Sequence, residues 1–228
     1  MRDDLQISPQ AGREPLLNVP WTLIVLVGAL VATHAARVLL GVPADAFALT
    51  AEDLDHGRLT PLVTHLFVHA DWVHLAMNSA FTLAFGAPVA RLLGRGLRGG
   101  LVFFVFFILC GVLAALSYAG VASLMPPSDP TQGAWALIGA SGAASGLFGA
   151  TARVIEGRGR LGPIAGRRVV GMTLVWIAIN AGLGLMNLTP GAGGAPVAWQ
   201  AHIFGFAAGL LLIGPAVVIA RGSRSVHE

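Results

Sequence analysis

"LIGASGAASGLFGATARVI", residues 137–155, is the stretch that decides the fold. It is apolar enough for lipid, yet it carries Gly139, Gly142, Gly146 and Gly149 and two hydroxyls, Ser141 and Ser145. Glycines spaced three, four and three fall on one face of a helix. Small residues on one face let neighbouring backbones approach closely in a bilayer. That accounts for the glycines and leaves Ser141 open. A serine in a membrane helix either bonds back to a carbonyl one turn earlier or has chemistry to do.

The surrounding chain fixes the setting. Of 228 residues, 55% are hydrophobic and 11% charged, with a mean hydropathy of +0.75. A soluble domain carries about a quarter charged residues, so the composition indicates an integral membrane protein. Apolar runs long enough to cross a bilayer as helix recur at about 20–41, 70–90, 100–123, 136–155, 168–188 and 198–220. The sequence therefore predicts an all-α membrane domain of six spans over residues 20–221. It is flanked by a disordered polar tail at 1–19 and a short tail at 222–228. No basic leader with a small-residue cleavage site precedes the first run, so no signal peptide is expected.

Charge predicts the orientation. All 14 basic residues are arginine. Arg2 and Arg13 precede span one, Arg91, Arg95 and Arg98 separate spans two and three, Arg153 to Arg168 surround the connection of spans four and five, and Arg221 and Arg224 follow span six. The opposite loops hold Asp45, Glu52, Asp53, Asp55 and Asp129. Six spans put every arginine-rich segment on one side, so both termini are expected in the cytoplasm. The basic balance reports topology, and no nucleic-acid partner is read from it. The arginine-for-lysine usage and the abundance of Ala and Gly fit a GC-rich genome, hence a bacterial inner membrane. Cys110 stands alone and reads as a small packing residue.

Three polar groups join Ser141. "THLFVHADWVHLAMN" places His65, His69, His74 and Asn78 at the start of span two, with His74 and Asn78 four apart on one face. "AWQAHIFGFAAGL" places His202 early in span six, followed by Gly205 and Gly209. Polar and ionisable residues in a membrane usually face the bundle interior or a wet cavity. Spans two, four and six enter from the same side, and at 1.5 Å per residue Asn78, Ser141 and His202 lie about 6–12 Å inside them. The set suits nucleophilic acyl transfer: Ser141 as nucleophile, His202 as its base, and Asn78 and His74 N–H groups with nearby backbone N–H groups for the oxyanion. No Asp or Glu lies in the membrane part of spans four or six to orient His202, so a Ser–His dyad is predicted.

"HADWVHLAMN", "GASGAASGLFG" and "AHIFGFAAG", in this order and on these spans, resemble the rhomboid family of intramembrane serine proteases. The resemblance covers about spans two to six. It implies Ser141 as nucleophile, His202 as general base, and His74 with Asn78 at the oxyanion. It implies no cofactor, transmembrane proteins as substrates, cleavage within or near their spans, and an active site opening to the non-cytoplasmic side. Family substrates tend to carry helix-destabilising residues near the cut and are thought to enter sideways between helices. Span five, with Asn180 and Asn187, is then a candidate for the mobile wall.

Two departures stand out. Many family members place an aromatic residue four after the nucleophile, against the catalytic histidine; here that position is Ser145. Trp199 and Phe148 are the candidates to support His202 instead, and Ser145 is the competing nucleophile, although the motif register favours Ser141. The first external loop, 42–64, has no clear Trp-Arg pair, and Arg58 matches the family's loop arginine only in a shifted register. His65 and His69, with His74, have the spacing for zinc, but no H-E-x-x-H pattern accompanies them and no metal is assigned. His69 is expected to organise the loop above the site and His65 to lie at the interface. His34 reads as a satisfied polar or near-interface residue, and His56 and His227 as exposed. The alternative function is a catalytically inactive relative that binds transmembrane helices for quality control or trafficking. Retention of both Ser141 and His202 favours the enzyme.

Overall fold

A computed structural model describes residues 18–124, 135–186 and 198–222. These residues form eight α-helices, one two-stranded ladder and short 3-10 turns at Ala44–Phe47 and His65–Phe67: α1 (Trp21–Leu39), β1 (Leu49–Thr50), α2 (Ala51–Asp55), α3 (Pro61–Thr64), α4 (Trp72–Leu93), α5 (Leu97–Ala122), β2 (Ala136–Leu137), α6 (Ser141–Glu156), α7 (Arg167–Leu185) and α8 (Trp199–Arg221). Of these, α1, α4, α5 and α8 are long and apolar enough to cross a membrane. The other two long helices fall outside that set. α6 has 16 residues, and α7 opens on Arg167 and Arg168 and carries Asn180. Most of the 1–19 tail, all but Gly222 of the 222–228 tail, and Asn187, Asp129 and His227 lie outside the described residues.

α6 is the central helix. It is buried along almost its whole length and packs against α8, α4, α5 and α7, while α1 closes the bundle against α4 and α5. Its glycines face those of α8 across a backbone-to-backbone contact. A Cβ on Gly205 would strike the Gly142 carbonyl, one on Gly209 the Gly146 carbonyl, and one on Gly149 the Phe206 carbonyl. Large residues here would push the two helices apart. On the outer surface the order is inverted: Ile24, Val25, Leu101, Val105, Val218 and Ile219 are all exposed. Such a shell of apolar side chains suits lipid as solvent.

Two expectations about the 137–155 stretch change. The helix starts at Ser141, five residues later than the span predicted from hydropathy. Ala136 and Leu137 instead pair antiparallel with Thr50 and Leu49 of the first loop. Gly139 is therefore no member of the helical stripe. It sits ahead of the helix at φ +103°, a left-handed conformation that glycine adopts without a Cβ penalty.

The first loop is built rather than slack. Thr50 caps α2 in a capping box with Asp53, and Arg58 Nε donates to Asp53 Oδ1 at 2.7 Å. The Thr50 hydroxyl and Arg58 hold the Asp53 carboxyl below the usual carboxylate range. Arg37, at the end of α1, donates to the carbonyls of Val42 and His69, tying the loop to the start of α4.

Candidate active site

The N-terminal turns of three helices meet. Ser141 is the first residue of α6, His202 the fourth of α8, and His74 and Asn78 occupy the first two turns of α4. Helix N-termini carry unpaired N–H groups and a partial positive charge, so their convergence favours a developing anion. At α6 the ladder begins with the Ala144 N–H on the Ala140 carbonyl, which leaves the N–H groups of Ser141, Gly142 and Ala143 ahead of it.

Ser141 Oγ and His202 Nε2 are 2.9 Å apart, the reach needed for a base to take a hydroxyl proton. The other ring nitrogen, Nδ1, lies 2.8 Å from Asn180 Oδ1 on α7. Ser145, one turn on, donates its hydroxyl to the Ser141 carbonyl at 2.7 Å and is almost fully buried.

On the opposite side, His74 and Asn78 face the segment that leads into Ser141. A Cβ on Gly139 would come within 2.9 Å of His74 Nε2 and 3.9 Å of Asn78 Nδ2, so the bare glycine backbone is what lets both side chains approach. The Ala70 N–H donates to His74 Nδ1 at 3.4 Å, which places the neutral ring's proton on Nε2, toward Gly139. Asn78 Nδ2 spends one hydrogen on the His74 carbonyl at 2.9 Å and keeps the other. The Gly139 N–H itself donates to the His65 carbonyl at 2.8 Å.

A model of the Rhomboid domain matches residues 56–217. The chain belongs to the rhomboid family. No curated protein matches it. The family match begins within the first loop and ends inside α8, so it takes in every helix that contributes to the site, in a multi-pass membrane protein.

Within this rhomboid fold, the side chains named from the sequence, Ser141, His202, His74 and Asn78, all line one cavity of about 690 Å³. Its remaining wall is largely apolar and includes Met77, Phe81, Trp176 and Leu183. Polar groups converging at one end of an apolar cavity are the usual make-up of a binding site.

The support of His202 differs from expectation. Trp199 leans on α7, where a Cβ on Gly184 would strike its ring, and Phe148 lies one ring away, edge-on to Trp176 at 5.1 Å. Trp176 and Asn180, both on α7, take the position instead. The Trp176 ring lies 6.5 Å from the imidazole and its Nε1–H donates to the His202 carbonyl at 3.3 Å. Asn180 was legible only as a polar residue in an apolar span. The signal that it is more is its placement one turn after Trp176 on a helix where, among the described side chains, Val169 is the other buried one.

The outer histidines also sort differently. His65 is buried within the protein, with Nδ1–H donating to the Pro61 carbonyl at 2.8 Å; burial lowers its pKa. His69 is enclosed between His34 and His74, at ring distances of 6.3 and 5.2 Å. Burial pushes it down to about 3, helped by the charges of His74, His34 and Arg37. The loop is thus held by the backbone carbonyls of His65 and His69. His34 is buried against Trp72 at 4.5 Å, and among the described residues its ring nitrogens bond no protein group, so of its two readings the satisfied polar residue does not hold.

Proposed function

We propose that this rhomboid-family protein is an intramembrane serine endopeptidase that cleaves transmembrane or juxtamembrane segments of other membrane proteins. The observation that carries the reading is the 2.9 Å approach of Ser141 Oγ to His202 Nε2 at the end of an otherwise apolar cavity. Ser141 gives its proton to His202 Nε2 as Oγ attacks the scissile carbonyl carbon. The oxyanion accepts hydrogen bonds from Asn78 Nδ2, His74 Nε2 and the free backbone N–H groups at the start of α6. Collapse expels the amine, which takes the proton back from His202, and a water activated by the same imidazole then releases the acyl group from Ser141.

The chain is read as a six-span protein with both termini cytoplasmic, in a bacterial inner membrane, its cavity opening on the non-cytoplasmic side. The arginine distribution supports that orientation. The substrate reaches the cavity past α7, the most sparsely buried wall. The cavity needs no cofactor for this chemistry, and its apolar lining suits an unwound segment of a transmembrane helix.

The test is cleavage of a single-span model substrate by purified protein in liposomes, wild type against Ser141→Ala. Cleavage lost in the variant is expected. Equal cleavage by both proteins removes Ser141 from the role. No cleavage by either across a panel of substrates turns the reading to the helix-binding, non-catalytic alternative.

A further inference from the structure

We propose that Asn180 is a positioning residue for His202, making the site a Ser–His–Asn relay in which an α7 amide sets the tautomer of the base. The proposal rests on the protease reading above and deepens it.

The argument begins at a group that can only accept. The backbone carbonyl of Trp176 lies 2.9 Å from the Asn180 side-chain nitrogen. An amide turned the other way would set two oxygens against each other, so Nδ2 faces Trp176 and Oδ1 faces His202. Oδ1 is also only an acceptor. At 2.8 Å from it, His202 Nδ1 must carry the ring's proton. A neutral imidazole has one N–H, so Nε2 presents its lone pair to the Ser141 hydroxyl, 2.9 Å away. One backbone carbonyl thus determines, through three hydrogen bonds, which ring nitrogen is basic.

Position and burial agree with this role. Asn180 is 6% exposed on a helix whose other side chains mostly face outward, and Trp176 below it anchors α7 by stacking with Phe81 at 5.5 Å. When Ser141 transfers its proton, the imidazolium keeps its Nδ1–H bond to Oδ1. The amide neither takes nor gives a proton, so the relay supplies orientation alone. An inverted tautomer would aim an N–H at Oγ and leave no base.

The experiment compares wild type, Asn180→Ala and Asn180→Asp in liposomes. It reads kcat and KM over pH, labelling of Ser141 by a fluorophosphonate, and thermal unfolding. His74 is the ionisable side chain facing His202 from α4, and it is the same in all three proteins. Asn180→Ala should lower kcat and labelling together by about 10–100-fold, within the range assigned to a positioned base, with KM near wild type and unfolding still cooperative. Asn180→Asp keeps an acceptor on Nδ1 and adds a negative charge that favours the imidazolium. It should recover most of the rate at high pH and carry the acid limb of the profile upward by about one unit.

Wild-type kcat in Asn180→Ala, or an Asp profile that overlays the wild type, overturns the proposal while Ser141-dependent labelling leaves the protease reading standing. Equal loss of activity in both variants, with the acid limb of Asn180→Asp unmoved, shows that an acceptor on Nδ1 does not set the rate and also overturns it. Absence of Ser141-dependent labelling in the wild type removes the protease reading itself.

Discussion

The hydroxyl of Ser145 donates to the carbonyl of Ser141, one turn back on α6, at 2.7 Å. Its proton is committed inside the helix, so of the two serines in "GASGAAS" only Ser141 offers its Oγ to His202. Ser145→Ala is expected to lose about 1 kcal/mol of stability and to keep cleaving. Ser141→Ala should fall by at least about 10³-fold, as when a hydrolase loses its nucleophile. Initial rates and melting curves on the two variants separate these outcomes.

Gly139 tests the oxyanion side. Its φ of +103° and the closeness of His74 both exclude a side chain. Gly139→Ala should push His74 Nε2 off its place and lower kcat by about 10²-fold, the scale of losing one oxyanion donor. The expected signature is a loss in kcat with substrate binding retained, measured by KM and by pull-down of uncleaved substrate.

The α6–α8 contact makes a contrast between two glycines. A Cβ on Gly209 meets the Gly146 backbone, whereas one on Gly171 meets nothing within 4 Å. Gly209→Ala should cost about 1–3 kcal/mol through overpacking and slow fluorophosphonate labelling as Ser141 and His202 separate. Gly171→Ala should change stability by no more than about 1 kcal/mol. Unfolding in a denaturing detergent series measures both.

His69 gives a pH dependence. Its pKa is about 3 in the folded protein against about 6.5 in an unfolded chain. Below pH 6.5 the unfolded chain takes up a proton that the folded one refuses, so the stabilisation present above that pH is lost as pH falls toward 3. Between pH 7.5 and pH 5 the loss should reach about 2 kcal/mol. His69→Phe should make the dependence shallower over that window by about that amount, leaving the part that His65 contributes, read from unfolding midpoints at each pH.

How much of this the sequence carried depends on the range of the interaction. Ser141, His74, Asn78 and His202 stand out because each is a polar residue at the start of an apolar run, a local signal. The glycine faces of α6 and α8 are likewise periodic within a few turns. What escaped is non-local. The two-residue pairing of Leu49 and Thr50 with Leu137 and Ala136 joins segments far apart in the chain and leaves no periodicity. It is why hydropathy starts the fourth span too early. Asn180 stood out only as one of two asparagines of span five: its Nδ2 bonds back one turn, and only the fold reveals that Oδ1 has a partner in His202.

The shortness of α6 has a further consequence. Its 16 residues rise about 24 Å, less than the hydrocarbon thickness of about 30 Å. An isolated helix of that length would force the bilayer to thin around it. α6 is instead jacketed by longer helices, so lipid meets their full-length surfaces and the mismatch is absorbed within the protein. The N-terminal end of α6 opens instead on the cavity of about 690 Å³, which Ala70, Leu137 and Gly139 from the segments leading into α4 and α6 help to line. Irregular backbone is tolerated at such depth only away from lipid. On the proposed protease reading, this cavity is where the water that hydrolysis consumes meets Ser141.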